Sequence, residues 1–366
     1  MSAAVPGPIR AVISRAAWQQ NLAALRAQAP GAKFLAVIKA DAYGHGAVQA
    51  ARCLDADAFG VARLGEALTL REAGVSKPIV LMEGVFSPLE LQQALQSELD
   101  VVVHSSHQID WLEQHDSSTS RRVVWLKLNT GMNRLGFPSE LLAAAYARLQ
   151  RLACVAEIRL MTHLATADET AHPLTALQLE RFAVAASRLE LDSATALSIG
   201  NSAGIFVGAA TQGAWVRAGI ALYGVSPSRE LDALQLGLLP VMSLESEVIA
   251  LRDVAAGESI GYGAQWQARR ASRIAVIAGG YADGIPRHLP NDAPVLVNGI
   301  RAPLVGRVSM DMITVDVTDV PDVSIGTSVI VWGRGLAVEE VAEHAGTIGY
   351  ELLCRVSARV PRVYCD

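Results

Sequence analysis

Eight short apolar runs, separated by amphipathic helical stretches, fill the chain up to about residue 225, and few folds accept that alternation. The runs are Phe34–Ile38, Ala58–Ala62, Ile79–Met82, Val101–Val103, Val123–Leu128, Ile158–Thr162, Ala196–Ile199 and Val216–Gly219. Each is apolar throughout rather than at every second position, the pattern of a parallel strand covered on both faces. The stretches between them carry helix signals. Ser87-Pro88-Leu89-Glu90 offers a cap residue, a proline at the first helical position and a glutamate where a capping box places one. From Ser14 to Gln28, Trp18, Leu22 and Leu25 fall at i, i+4 and i+7 and make one apolar stripe. Gly74 is placed to end the helix containing Leu64–Ala73. Eight strand–helix repeats predict a closed (β/α)8 TIM barrel over residues 1–230; a doubly wound open sheet is the competing arrangement.

Past residue 230 the helical periodicity fades. Short β-branched runs, Ser246–Leu251, Ile274–Ile277, Pro294–Val297, Ile313–Val317 and Ser328–Val331, are divided by Gly, Pro, Asn and Asp turns. Asn298-Gly299, between Val295–Val297 and Ile300–Leu304, is a strong two-residue hairpin signal. Residues 231–366 are therefore expected to form a C-terminal all-β domain.

The composition excludes several classes. With 31 basic against 36 acidic residues the formal charge is −5, which offers no basic footprint for nucleic acid or an anionic membrane surface. The opening MSAAVPGPIRAVISRAAW breaks up any signal-peptide core with proline and arginine, and no apolar run reaches the roughly 20 residues of a membrane span. A cytoplasmic protein is expected. Cys53, Cys154, Cys354 and Cys365 show no CxxC spacing, and the histidines do not complete a ligand set with them, so reduced thiols and no metal are expected.

Several chemically capable residues fall at strand C-terminal ends, where barrels of this kind keep their active sites. Lys39 ends the first apolar run in AVIKADAYGHG; buried there, its ammonium is costly unless paired or neutralised, and bonding to an aldehyde neutralises it. A lysine lying along the rim with its head in water is the plain alternative. Gly200-Asn201-Ser202-Ala203-Gly204 follows the seventh run and presents a hydroxyl and backbone N–H groups, an anion site or else an ordinary turn. Arg134 sits on a glycine-flanked loop after the fifth run and suits a carboxylate, although a surface arginine would look the same. Lys127, inside that run, is an anomaly, because an apolar strand interior seldom holds a free ammonium. His163 ends the sixth run, where a packed core histidine is the usual case.

Seven segments in order, AVIKADAYGHG (36–46), LKLNTGMNRLG (126–136), GNSAG (200–204), VRAGIALYG (216–224), GYGAQW (261–266), GYADGIPR (280–287) and VGRVSMDMI (305–313), resemble those of the alanine racemases, fold-type III pyridoxal-phosphate enzymes, over nearly the whole chain. The resemblance implies interconversion of L- and D-alanine. Lys39 would carry pyridoxal 5'-phosphate as a Schiff base and act as base on one face of the substrate α-carbon. Tyr262, from the other subunit, would serve the opposite face, since racemisation needs removal on one side and delivery on the other. Arg217 would donate to the pyridine nitrogen and His163 would stack near the ring and orient Arg217. Tyr43, Asn201, Ser202, Gly219 and Ile220 would line the phosphate site. Arg134 and the Met310 N–H of the partner subunit would bind the substrate carboxylate. Lys127 matches a position often carbamylated in the family. Asp168, Tyr281, Arg287 and Asp311 match positions at or near the entrance corridor. Sites composed from two chains imply a head-to-tail homodimer, with the first ten or so residues packed on the second domain.

Two departures stand out. Ser309 takes a place where the family often has cysteine, and Ala358 aligns with a C-terminal position that is often aromatic, which predicts a wider inner gate admitting substrates such as serine. Four rivals share parts of the pattern. An amino-acid decarboxylase of the same architecture would set an acid, not Arg217, against the pyridine nitrogen. A broad-specificity racemase would usually bring a secretion signal. A non-catalytic cofactor-binding barrel would lack residues 231–366. A cofactor-free racemase would need two cysteine bases.

Overall fold

The computed structural model describes residues 7–116, 121–189, 191, 195–209, 215–228 and 230–366. The first strand, β1 (Arg10–Ser14), leads into a helix over Arg15–Gln28, and then the barrel begins. Its strands are β2 (Lys33–Val37), β3 (Ala58–Val61), β4 (Ile79–Leu81), β5 (Asp100–Val103), β6 (Arg122–Lys127), β7 (Val155–Met161), β8 (Leu197–Ser198) and β9 (Trp215–Ala218). Every neighbouring pair is parallel, and β9 pairs back onto β2 through Phe34↔Val216 and Leu35↔Arg217, which closes the barrel and removes the open-sheet alternative. The apolar runs predicted from sequence are these strands. β3, β4 and β5 are buried at every position, as a strand between a packed interior and an outer helix must be.

The helix signals act as read. Ser87 Oγ accepts the Glu90 N–H at 3.1 Å, while the Glu90 carboxylate reaches back to the Phe86 N–H at 2.8 Å. Gly74, at φ 83°, ends the helix Leu64–Glu72. Trp18, Leu22 and Leu25 form the buried stripe of the first helix. No helix among the described residues is long and apolar enough to cross a membrane.

The second half is built on a sheet. Its strands are β10 (Met242–Val254), β11 (Ser259–Ile260), β12 (Trp266–Gln267), β13 (Ser272–Ala278), β14 (Pro294–Val297), β15 (Ile300–Pro303), β16 (Met312–Asp316), β17 (Ser328–Trp332) and β18 (Arg362–Cys365). The main sheet runs β15-β14-β17-β10-β1-β18, with β13 and β16 continuing from β10, while β11 and β12 form a small separate ribbon. Asn298 and Gly299 take φ 51° and 78° between Val297 and Ile300, the left-handed pair that a two-residue hairpin asks for. β1 joins this sheet beside β10 and β18, while residues 1–6 lie outside the described residues.

The sheet domain also holds two short helices, Val338–His344 and Gly349–Arg355, which the all-β reading did not foresee. Each has seven residues, two turns at most, which is too little sequence for a helical period to stand out. The second one matters to function, because it packs beside the turn that follows Lys39.

Candidate active site

Lys39 follows β2 after one intervening residue, Ile38, and opens a strained turn. From Ala40 to Tyr43, four non-glycine residues in succession lie at φ 51–54° and ψ 43–52°, one turn of left-handed helix. That conformation costs an L-residue roughly 1–2 kcal/mol, and it persists only where the surroundings fix it. The turn carries Tyr43 inward until its hydroxyl stands 2.9 Å from where a Cβ on Gly219 would be. Lys39 and the loop after β9 thereby share one space.

A second loop reaches the same space. Ser202 Oγ accepts the N–H of Gly219 at 2.8 Å and of Ala221 at 3.4 Å, and lies 3.8 Å from the missing Gly219 Cβ. The Tyr43 and Ser202 hydroxyls and the backbone N–H groups around Gly219, two of which Ser202 Oγ accepts here, make a donor-rich pocket suited to an anion. Burial, then Tyr350 and Cys354, hold the Tyr43 phenol well above its ordinary pKa, so it remains a neutral donor. Ile220 is buried in the short helical turn that follows. Asn201 works differently from its neighbours: its carbonyl caps the Gly204 N–H at 2.9 Å and its amide donates to Leu164 O at 3.3 Å, which shapes the loop rather than that pocket.

Arg217 lies on β9 and is 2% exposed. Nη1 donates to Ser198 Oγ at 2.6 Å, and Nη2 to the carbonyls of Thr162 at 2.5 Å and Ile199 at 3.1 Å and to His163 Nδ1 at 3.4 Å. Nε has no partner. Among the described residues no carboxylate answers this guanidinium; burial draws its pKa down to about 10. Because Arg217 donates, His163 must accept at Nδ1 and is neutral. Burial, and then the charges of Arg217, Lys127, Arg134 and Lys39, keep its pKa well below the usual value.

Lys127 closes β6 and is 6% exposed. Burial lowers its pKa to about 8, and Arg217, Arg134 and Lys39 act in the same direction; Glu83 is the opposing acid. Arg134 stands exposed on a loop ordered by Asn129, whose side-chain oxygen accepts the N–H groups of Gly131 at 3.1 Å and Asn133 at 3.0 Å. This mouth is strongly cationic and short of anions.

Sequence reading missed part of the support. Gln178 is fully buried on the helix Pro173–Ser187 and donates to Thr130 Oγ1 at 3.1 Å and to His163 O at 2.9 Å, while its carbonyl accepts the Ala165 N–H at 2.8 Å. It bolts the loops of Arg134 and His163 together. A glutamine one turn from Leu174 and Phe182, on an apolar stripe, is the signal that could have found it. Tyr350 was also missed. Its ring is 6.0 Å from that of Tyr43, and burial, with Asp168 nearby, pushes its phenol up to about 12. An aromatic group near the C-terminus therefore does face Tyr43, from Tyr350 on the helix Gly349–Arg355. Ala358, from which the wider gate is expected, is itself exposed.

The remaining candidates belong to the sheet domain. Tyr262 stands at the tip of the β11–β12 ribbon, 69% exposed, and Met310 is 53% exposed. The Met310 loop is rigidly seated. Tyr281 and Ala282 N–H groups donate to Ser309 O and Met310 O, each at 3.0 Å, and a Cβ on Gly280 would meet Ser309 O at 2.2 Å. Arg359 clamps Asp283 with two bonds of 2.7 and 2.8 Å and reaches Asp311 at 2.7 Å. Tyr281 and Arg287 are exposed and Asp168 is half-buried. Among the described residues, no hydrogen bond, ion pair or ring contact joins Tyr262, Tyr281, Arg287 or Met310 to Lys39, Tyr43, His163, Arg134 or Arg217.

A closed parallel barrel whose mouth gathers an amine, a donor-rich pocket suited to an anion and a buried guanidinium defines the α/β-barrel class of this protein. Residues 13–227 match the family model of the alanine racemase N-terminal domain, and residues 241–364 that of the C-terminal domain. The chain is 48% identical to the alanine racemase of Shewanella sediminis, over 96% of its own length and 97% of the relative's. It is 46% identical to that of Stutzerimonas stutzeri, over 98% and 99%. The crystal structure of the biosynthetic alanine racemase from Pseudomonas aeruginosa superimposes with a TM-score of 0.94 at 46% identity, covering 98% of this chain and all of that one. This chain belongs to the alanine racemase family.

Proposed function

We propose that the chain interconverts L- and D-alanine with pyridoxal 5'-phosphate held on Lys39, in sites shared across a head-to-tail homodimer. The observation that carries this reading is Arg217, buried among neutral oxygens with Nε unpartnered. That Nε–H would meet the pyridine nitrogen, while Tyr43, Ser202 and the N–H groups of Gly219 and Ile220 would hold the phosphate. The bound cofactor supplies an electron sink that acidifies the α-hydrogen of an attached amino acid.

The rest is the work of the chain. A guanidinium hardly yields its proton, so Arg217 moderates the sink and restrains side reactions such as transamination. This supports a racemase over a decarboxylase, which would set an acid there. The Lys39 amine would move the proton on one face of the α-carbon, and the Tyr262 phenol of the second chain on the other. Arg134 and the Met310 N–H would grip the carboxylate. Lys127, with its lowered pKa of about 8, is set to react with carbon dioxide, and the resulting carbamate would give Arg134 an anionic neighbour. Asp168, Tyr281, Arg287 and Asp311 would line the approach. Residues 1–230 would then form the cofactor-binding half and residues 231–366 the half that reaches into the partner.

Borohydride reduction of the loaded protein tests the anchor. The adduct should be found on Lys39 by peptide mass, and Lys39→Ala should carry none; a Lys39→Ala protein that keeps the adduct would defeat the assignment.

A further inference from the structure

The left-handed turn after Lys39 is gripped at both ends by side chains outside the site described so far. At its start, Glu66 Oε1 accepts the Ala40 N–H at 2.6 Å, while Oε2 accepts the N–H groups of Ala62 at 2.8 Å and Arg63 at 3.0 Å. One carboxylate thus ties the turn to the end of β3 and the helix Leu64–Glu72. At its other end, His45 Nδ1 lies 2.8 Å from Tyr43 O and 3.0 Å from Ala42 O, the carbonyls of the last two strained non-glycine residues. Facing two acceptors, that nitrogen must carry a proton. The ring is 0% exposed, 4.7 Å from the Tyr223 ring and 5.9 Å from Trp18, and its Nε2 has no partner among the described residues. A buried neutral histidine with one nitrogen spent on two strained carbonyls and the other idle is placed for a purpose other than acid–base work.

We infer that His45 and Glu66 are positioning residues that clasp the strained turn and so set the spacing between the Lys39 amine and the Tyr43 hydroxyl. The inference rests on the reading that those two groups bind opposite ends of the cofactor. A relaxed, right-handed course over residues 40–43 would send the Tyr43 side chain elsewhere and remove it from Gly219. Burial draws the His45 pKa down to about 4, which keeps the donor neutral and the clasp insensitive to pH across the neutral range. Tyr223 adds a further brace, with its hydroxyl donating to Val37 O at 2.8 Å and its ring 4.6 Å from that of Tyr43.

The test is the dissociation constant of pyridoxal 5'-phosphate from the purified full-length protein, alongside the melting temperature of the cofactor-free form. His45→Phe keeps the ring and its stacking but loses the donor, and should weaken cofactor binding about tenfold or more. His45→Asn, which returns a donor near the Nδ1 position, should recover most of the loss. Ala40→Gly eases a left-handed position at an exposed site; alone it should change affinity little, and in the His45→Phe background it should recover about threefold or more, a coupling that general destabilisation would not produce. Glu66→Gln, which sets an amide donor against backbone donors, should act in the same direction and stands in if His45→Phe fails to fold. Wild-type affinity in both His45→Phe and Glu66→Gln, or a loss that Ala40→Gly leaves untouched, would overturn the clasp. Failure of the wild-type protein to bind the cofactor would instead overturn the underlying reading.

Discussion

A buried cation whose hydrogen bonds all go to neutral groups needs another reason to be where it is, and Arg217 at the mouth of this barrel is such a cation. Arg217 is satisfied by neutral oxygens at three of its bonds and keeps Nε in reserve. Arg217→Glu should leave the cofactor bound but let it hold a proton on its ring. We expect racemisation to fall by about a hundredfold or more and transamination to become measurable, read by coupled assay and by loss of the aldehyde form. Lys127→Ala should displace Arg134 and raise KM for alanine several-fold more than it lowers kcat. Lys39 and Lys127 stood out because a charged side chain at the end of an apolar strand contradicts its setting, Arg134 stood out on its glycine-flanked loop, and Arg217 drew its role from the family resemblance alone. Gln178, Glu66 and His45 did not stand out, since their work is done on backbone groups that sequence does not reveal until the fold places them.

Elements divide in the same way. The barrel strands could be read because a strand covered on both faces writes itself as an unbroken apolar run. The helices Val338–His344 and Gly349–Arg355 could not, and with them went Tyr350. β5 makes a prediction of its own. Asp100, at its start, is 7% exposed, and its carboxylate accepts the Val123 N–H at 3.2 Å. Burial is the largest influence and raises its pKa to about 6, against the opposing pull of the Val123 N–H, Arg159 and Arg122. A carboxyl whose pKa is higher folded than unfolded favours folding at acid pH and loses that contribution as pH rises from about 4 through about 6. Asp100→Asn should therefore be more stable than the parent at pH 8, by an amount on the order of 2 kcal/mol. The gap should shrink toward pH 5. Melting curves across that range check it; a gap independent of pH would place the effect outside this carboxyl.

Taken as a whole, the molecule separates its tools. The amine, the donor-rich pocket and the guanidinium lie at the barrel mouth, while Tyr262 and Met310 stand exposed on the sheet domain, with no hydrogen bond, ion pair or ring contact to that mouth among the described residues of one chain. Exposure of a phenol and a thioether on a well-braced loop and ribbon is what a surface awaiting a second copy would present. If two chains complete each site, two differently disabled chains can mend one another. Lys39→Ala and Tyr262→Phe proteins, each unable to invert alanine alone, should be mixed under conditions that exchange subunits and assayed for net conversion of L- to D-alanine, which needs both groups. Random pairing should restore about a quarter of the wild-type sites, because half of the dimers are mixed and each of those has one intact site. No recovery, with subunit exchange confirmed by mass, would contradict the shared site and confine the chemistry to a single chain.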